Sequence, residues 1–107
     1  MKIKIAITGL GRIGAQYPNI IDEELNKITY RNHLDAALSL KEVEIVALIE
    51  PNATVQNKIK KKYNNIPDTI FYKNIKLVPK NIADIYILCS PTNMHFQNTM
   101  EILDKNI

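Results

Sequence analysis

Three observations predict an α/β fold with a doubly wound parallel sheet. The signature Gly9-Leu10-Gly11-Arg12-Ile13-Gly14 follows directly on a β-branched run. β-rich runs then alternate with segments of helical period. The last of those runs, Asp84 to Cys89, is nearly all apolar, the pattern of a parallel strand covered on both faces.

The elements follow in order. Lys2 to Thr8 alternates at first and is rich in β-branched residues, so it reads as strand 1. A helix can begin at Arg12, but Pro18 ends or kinks it, because proline lacks the N–H that the ladder needs. Asn19 to Asn26 is polar and acidic and reads as a surface excursion. From about Thr29 to Leu40, Tyr30, Leu34, Ala37 and Leu38 recur at helical spacing. Glu44 to Ile49 reads as strand 2 and ends at Glu50-Pro51. Asn52 can cap a helix running to about Asn64, with Val55, Ile59 and Tyr63 inward. Ile70 to Tyr72 is a short strand 3. Ile75 to Ile82 is ambiguous, because Pro79 interrupts it. Asp84 to Cys89 is strand 4, Ser90 to Asn93 a turn, and Met94 to Lys105 a helix. That helix carries Met94, Asn98 and Glu101 on one side and Phe96, Met100 and Leu103 on another.

Composition narrows the function classes. A chain of 107 residues is one domain, spanning 1–107. No apolar run exceeds five residues, the length of Ile45 to Ile49, which is far short of a membrane span. The charged start, Met1-Lys2-Ile3-Lys4, lacks the apolar core of a secretion signal. The single cysteine forms no internal disulfide and suits a reducing compartment, so a cytoplasmic protein is expected. The net charge of +3 is a small surplus of 14 basic over 11 acidic residues, whereas nucleic-acid binding calls for charge focused on one surface, so no nucleic-acid partner is expected. Isoleucine, asparagine and lysine number 18, 12 and 12, a general drift that explains the lysine surplus. Glycine shows the opposite: there are only three, all within the signature.

Each glycine has its own physical reason. Gly9 permits a tight turn out of the strand. Gly11 lets a pyrophosphate approach the backbone. Gly14 lets the next helix pack close. Free amides at the helix start, with Arg12 and Ile13 in its first turn, then face the phosphates. Random placement of three glycines gives this spacing about once in 2,000. The signature expects an acid at the tip of the second strand about 20 residues on, whereas Glu50 lies about 36 residues beyond Gly14. An insertion between Pro18 and Lys27 absorbs the excess at small entropic cost. At that tip a carboxylate accepts both hydroxyls of an adenosine ribose and repels a 2′-phosphate. NAD is therefore expected as cofactor rather than NADP.

Taken together these residues resemble the N-terminal domain of the Gfo/Idh/MocA oxidoreductases. The resemblance rests on the glycine signature, on Asn32-His33, and on Leu48-Ile49-Glu50-Pro51. Its last part is the segment Asp84-Ile85-Tyr86-Ile87-Leu88-Cys89-Ser90-Pro91-Thr92-Asn93-Met94-His95. It covers almost the whole chain and departs mainly at Pro18 to Lys27. It implies a Rossmann-type sheet in strand order 3-2-1-4, without the later strands and second domain of such enzymes. It also implies NAD(P)-dependent oxidation or reduction of a hydroxyl on a sugar, cyclitol or related polyol. The family's Glu-Lys-Pro lysine, which assists proton transfer, is absent from these 107 residues. The chain is therefore expected to be a fragment of a larger two-domain homo-oligomeric enzyme, inactive alone, with substrate contacts elsewhere.

Ser90, Pro91 and Thr92 are expected to line the crevice opposite the glycine loop, where strand order reverses. His95 resembles the family histidine near the nicotinamide end. His33 and Cys89 read as structural, and Lys58, Lys60, Lys61 and Lys62 as a solvated helix face. No metal cluster is present in the pattern. Two alternatives to the enzyme domain stand: a non-catalytic NAD(H)-sensing module of a regulator, and an S-adenosylmethionine-binding domain.

Overall fold

The computed structural model describes residues 1–105. Four parallel strands form its central sheet: β1 (Ile3–Thr8), β4 (Val43–Ile49), β5 (Phe71–Tyr72) and β6 (Ile85–Leu88). Their order is β5-β4-β1-β6, the expected 3-2-1-4 arrangement. A second, two-stranded antiparallel sheet, β2 (Ile20–Asp22) with β3 (Lys27–Thr29), stands apart from it. The helices are α1 (His33–Leu38), α2 (Ala53–Lys62) and α3 (His95–Leu103).

The pleat sorts the strand residues onto two faces. Ile5, Ile7 and Leu48 bury one face with Leu10, Ala15, Leu34 and Ile59 from the loop, α1 and α2. Ala6, Ala47 and Ile49 bury the other with Ile75, Val78 and Ile102, the last from α3. This two-sided burial is why β1 and β4 read as apolar runs. β6 is different. It pairs with β1 on one side, and no strand flanks its other side among the described residues. Its apolar run therefore begins with Ile85 exposed rather than covered.

Three sequence expectations change in detail. Arg12–Gln16 forms a single five-residue π-type turn, not a full helix, and the Tyr17 amide closes it by donating a hydrogen bond to the Arg12 carbonyl. Pro18 stops it there. The Pro18–Lys27 excursion is a β-hairpin whose strand residues are all exposed. The helix expected from Thr29 starts later, because Thr29 pairs with Ile20 in that hairpin and Asn32 caps α1 through the Asp35 amide at 2.8 Å. Tyr30 thus lies outside the helix and is exposed. The ambiguous Ile75–Ile82 stretch contains a 3₁₀ turn, Ile75–Leu77. The buried Lys105 ammonium supports that turn by donating to the Lys76 and Val78 carbonyls at 3.1 and 2.7 Å.

A candidate dinucleotide site at the strand tips

The glycine loop sits where β1, β4 and β6 end together. Gly9 has φ +92°, and a Cβ there would lie 2.6 Å from the Cys89 carbonyl and the Ser90 amide nitrogen. Glycine is needed at this position for its conformation and for the closeness of the next strand's turn. At Gly14 an added Cβ would stand 2.0 Å from the Gly9 carbonyl oxygen. Gly11 is the contrast, since nothing lies within 4 Å of the place its Cβ would take. The fold therefore demands glycine at positions 9 and 14 and leaves open space at 11. The amides of Gly11, Arg12 and Ile13 have no acceptor among the described residues. The Arg12 and Ile13 side chains are exposed beside them.

Glu50 is half-buried at the tip of β4. One carboxylate oxygen accepts the Leu10 amide at 2.9 Å and the other accepts the Asn52 amide at 3.0 Å. The acid is thereby fixed against the loop. A carboxylate has about four acceptor sites, so each oxygen keeps capacity for a ligand hydroxyl. Gln56 of α2 supports the same corner by donating to the Glu50 and Tyr72 carbonyls at 2.7 and 3.1 Å.

A cavity of about 270 Å³ opens between these tips. Gly9, Glu50, Ser90 and Pro91 all line it, so four of the expected site residues meet there. Gly11, Arg12, Ile13, Gly14, Thr92 and His95 do not line it. Thr92 is exposed in the turn before α3. The His95 ring is turned back onto the chain, its Nε2 2.7 Å from the Ser90 carbonyl oxygen. A carbonyl can only accept, so that nitrogen carries the proton. His33 is exposed at the start of α1, outside the cavity. Cys89 is half-buried beside Gly14, and burial raises its thiol pKa, which disfavours the reactive thiolate.

The cavity also holds residues that the sequence reading passed over. The Thr8 hydroxyl is buried, finds no partner, and belongs to a residue of the cavity wall. Asn98 is buried, accepts the Ser90 hydroxyl at 2.5 Å, and lines the same wall with Met94 and Glu101. The signal for Asn98 and Glu101 was their place, with Met94, on one side of the last helical segment; nothing in the sequence signalled Thr8.

Comparison with sequence families decides what such a site belongs to. The model of an oxidoreductase family with an NAD-binding Rossmann fold, Gfo/Idh/MocA, matches residues 3–107. This chain belongs to that family. Comparison with curated proteins yields no match. As a Gfo/Idh/MocA domain it takes NAD(P) as cofactor. The residues present fit that group: an open approach at Gly11, an acid pinned at the loop, and an unpaired Thr8 hydroxyl in the cavity wall. Among the described residues no helix is long and apolar enough to cross a membrane, and no cluster could hold a metal ion.

Proposed function

We propose that this Gfo/Idh/MocA chain is the NAD-binding domain of a dehydrogenase acting on a hydroxyl of a sugar, cyclitol or related polyol. In this reading Gly9, Gly11, Arg12, Ile13 and Gly14 present the loop backbone to the pyrophosphate. Glu50 accepts the adenosine ribose hydroxyls. Ser90, Pro91, Thr92 and His95 border the path toward the nicotinamide. When bound, the nicotinamide supplies or accepts the hydride. Substrate contacts and proton transfer come from residues outside these 107, so the chain alone is inactive. Family membership favours a dinucleotide over S-adenosylmethionine.

One observation carries the choice of NAD: the Glu50 carboxylate held 2.9 Å from the Leu10 amide. A 2′-phosphate there would meet a fixed like charge. Calorimetric titration with NADH and NADPH tests this. NADH is expected to bind at least about tenfold more tightly, one RT ln 10 step. Equal affinities would overturn the preference, and no heat with millimolar NADH would overturn the function.

A further inference from the structure

Leu10 is the centre of the glycine loop, between Gly9 and Gly11, and its side chain is fully buried. Its amide is held by Glu50. Its carbonyl is held as well, because the Gln16 Nε2 donates to it at 2.9 Å. The other end of that amide, Oε1, accepts the Lys58 ammonium at 2.9 Å. Lys58 fixes which way the Gln16 amide points. A flipped amide would set its oxygen against the Leu10 carbonyl and its NH₂ against an ammonium, two repulsive contacts in place of two favourable ones. One turn later on α2, the Lys62 ammonium reaches the Ala15 carbonyl at 3.3 Å.

This arrangement answers a weakness of the sequence. Pro18 cuts the segment after the glycines to one turn, too short to be stable by itself. Something outside it must hold the loop in place. The basic run on α2 was expected to be only a solvated face. Its lysines remain mostly exposed, but two of their head groups bond to the turn.

We propose that Gln16 and Lys58 are positioning residues for cofactor binding. Lys58 orients the Gln16 amide, and Gln16 clamps the Leu10 carbonyl, so that the loop backbone is held in its diphosphate-binding form before the ligand arrives. The proposal rests on the reading of the loop as a dinucleotide cradle. Preorganisation of this kind improves affinity by lowering the ordering cost of binding.

The test is titration of the full chain with NADH, ADP-ribose and adenosine. It compares the parent with Gln16→Met, Lys58→Met, Lys58→Arg and the double methionine variant, with thermal melting alongside. Gln16→Met should weaken NADH and ADP-ribose about 5- to 10-fold, and Lys58→Met about 2- to 3-fold, the scale of one hydrogen bond. The double variant should be no weaker than Gln16→Met, because both act through one amide. Lys58→Arg should bind within about twofold of the parent, and adenosine, which has no phosphate, should move less than about twofold throughout. Unchanged NADH affinity in both single variants would overturn the clamp. So would an equal loss for adenosine, which marks general loosening. Should Gln16→Met melt far below the parent, the exposed Lys58→Met and its arginine rescue still decide the matter. A parent chain that binds neither NADH nor ADP-ribose would overturn the cradle reading as well.

Discussion

Gly14 and Gly11 obey the same signature for opposite reasons, and a single methyl group separates them. A Cβ at position 14 would collide with backbone, the Gly9 carbonyl oxygen at 2.0 Å, which cannot swing aside like a side-chain tip. Gly14→Ala should therefore lower stability by about 3 kcal/mol or prevent folding, a severe overpacking effect seen as a large fall in the thermal midpoint. A Cβ at position 11 meets nothing within 4 Å. Gly11→Ala should melt like the parent but bind NADH about tenfold more weakly, since the methyl occupies the approach to the loop. Equal melting of the two variants would contradict this division. The close packing at Gly14 was legible in the sequence because the spacing of the signature places it. The hydrogen bond from the Leu10 amide that fixes Glu50 was not, since nothing in the residue order says that a loop 40 positions away comes within 2.9 Å.

At the scale of elements, one polar cluster joins the interrupted first crossover to the rest. Asn32 caps α1 and also donates to the Tyr17 carbonyl at 2.8 Å and to Asp35 at 2.9 Å. Asp35 in turn accepts the hydroxyl of Tyr63, at the end of α2. Asn32 is buried, so Asn32→Ala removes a cap and strands its partners. The expected loss is about 1–3 kcal/mol by denaturant unfolding. The same cluster gives an alkaline limit. Burial, then the bond to Asp35, holds the Tyr63 hydroxyl pKa well above its ordinary 10.0. Burial also raises the Tyr86 hydroxyl and the Cys89 thiol above their ordinary 10.0 and 9.0. All three are favoured neutral in the fold and ionise first in the unfolded chain. Their stabilisation is therefore complete below about pH 9 and is lost as pH rises beyond it. Melting should fall between pH 9 and 11, and Tyr63→Phe should flatten part of that fall. An unchanged slope would place the effect elsewhere. The sequence showed where this crossover is broken, at Pro18, and that the insertion lies on the surface. It did not show the β-hairpin, because Ile20 and Ile21 are adjacent and do not alternate, the ladder has only three paired positions, and no residue of it is buried. Nor did it show that Thr29 belongs to that hairpin, since Tyr30 mimicked the helical spacing of Leu34 and Leu38.

At the scale of the whole molecule, parallel pairing follows from sequence pattern because each β-rich run is separated by a crossover, and the order β5-β4-β1-β6 is the one the family resemblance implied. The uneven covering of that sheet has a consequence. Ile85 on β6 and Phe96, Met100 and Leu103 on α3 are exposed, with Phe96 at 79%. An unpaired apolar edge beside an apolar helix face favours association. The chain should show species larger than a monomer by light scattering as concentration rises, and the pair Ile85→Lys and Phe96→Lys should reduce them. A monodisperse monomer at all concentrations would contradict this. The central claim concerns the opposite end of the strands, and its most direct measurement is a nitrogen–proton correlation spectrum of the labelled chain titrated with ADP-ribose. The amides of Leu10, Gly11, Arg12 and Ser90, with those flanking Glu50, should shift together and saturate at one affinity. Shifts confined to the exposed β6 and α3 face, or none at millimolar ligand, would contradict the account.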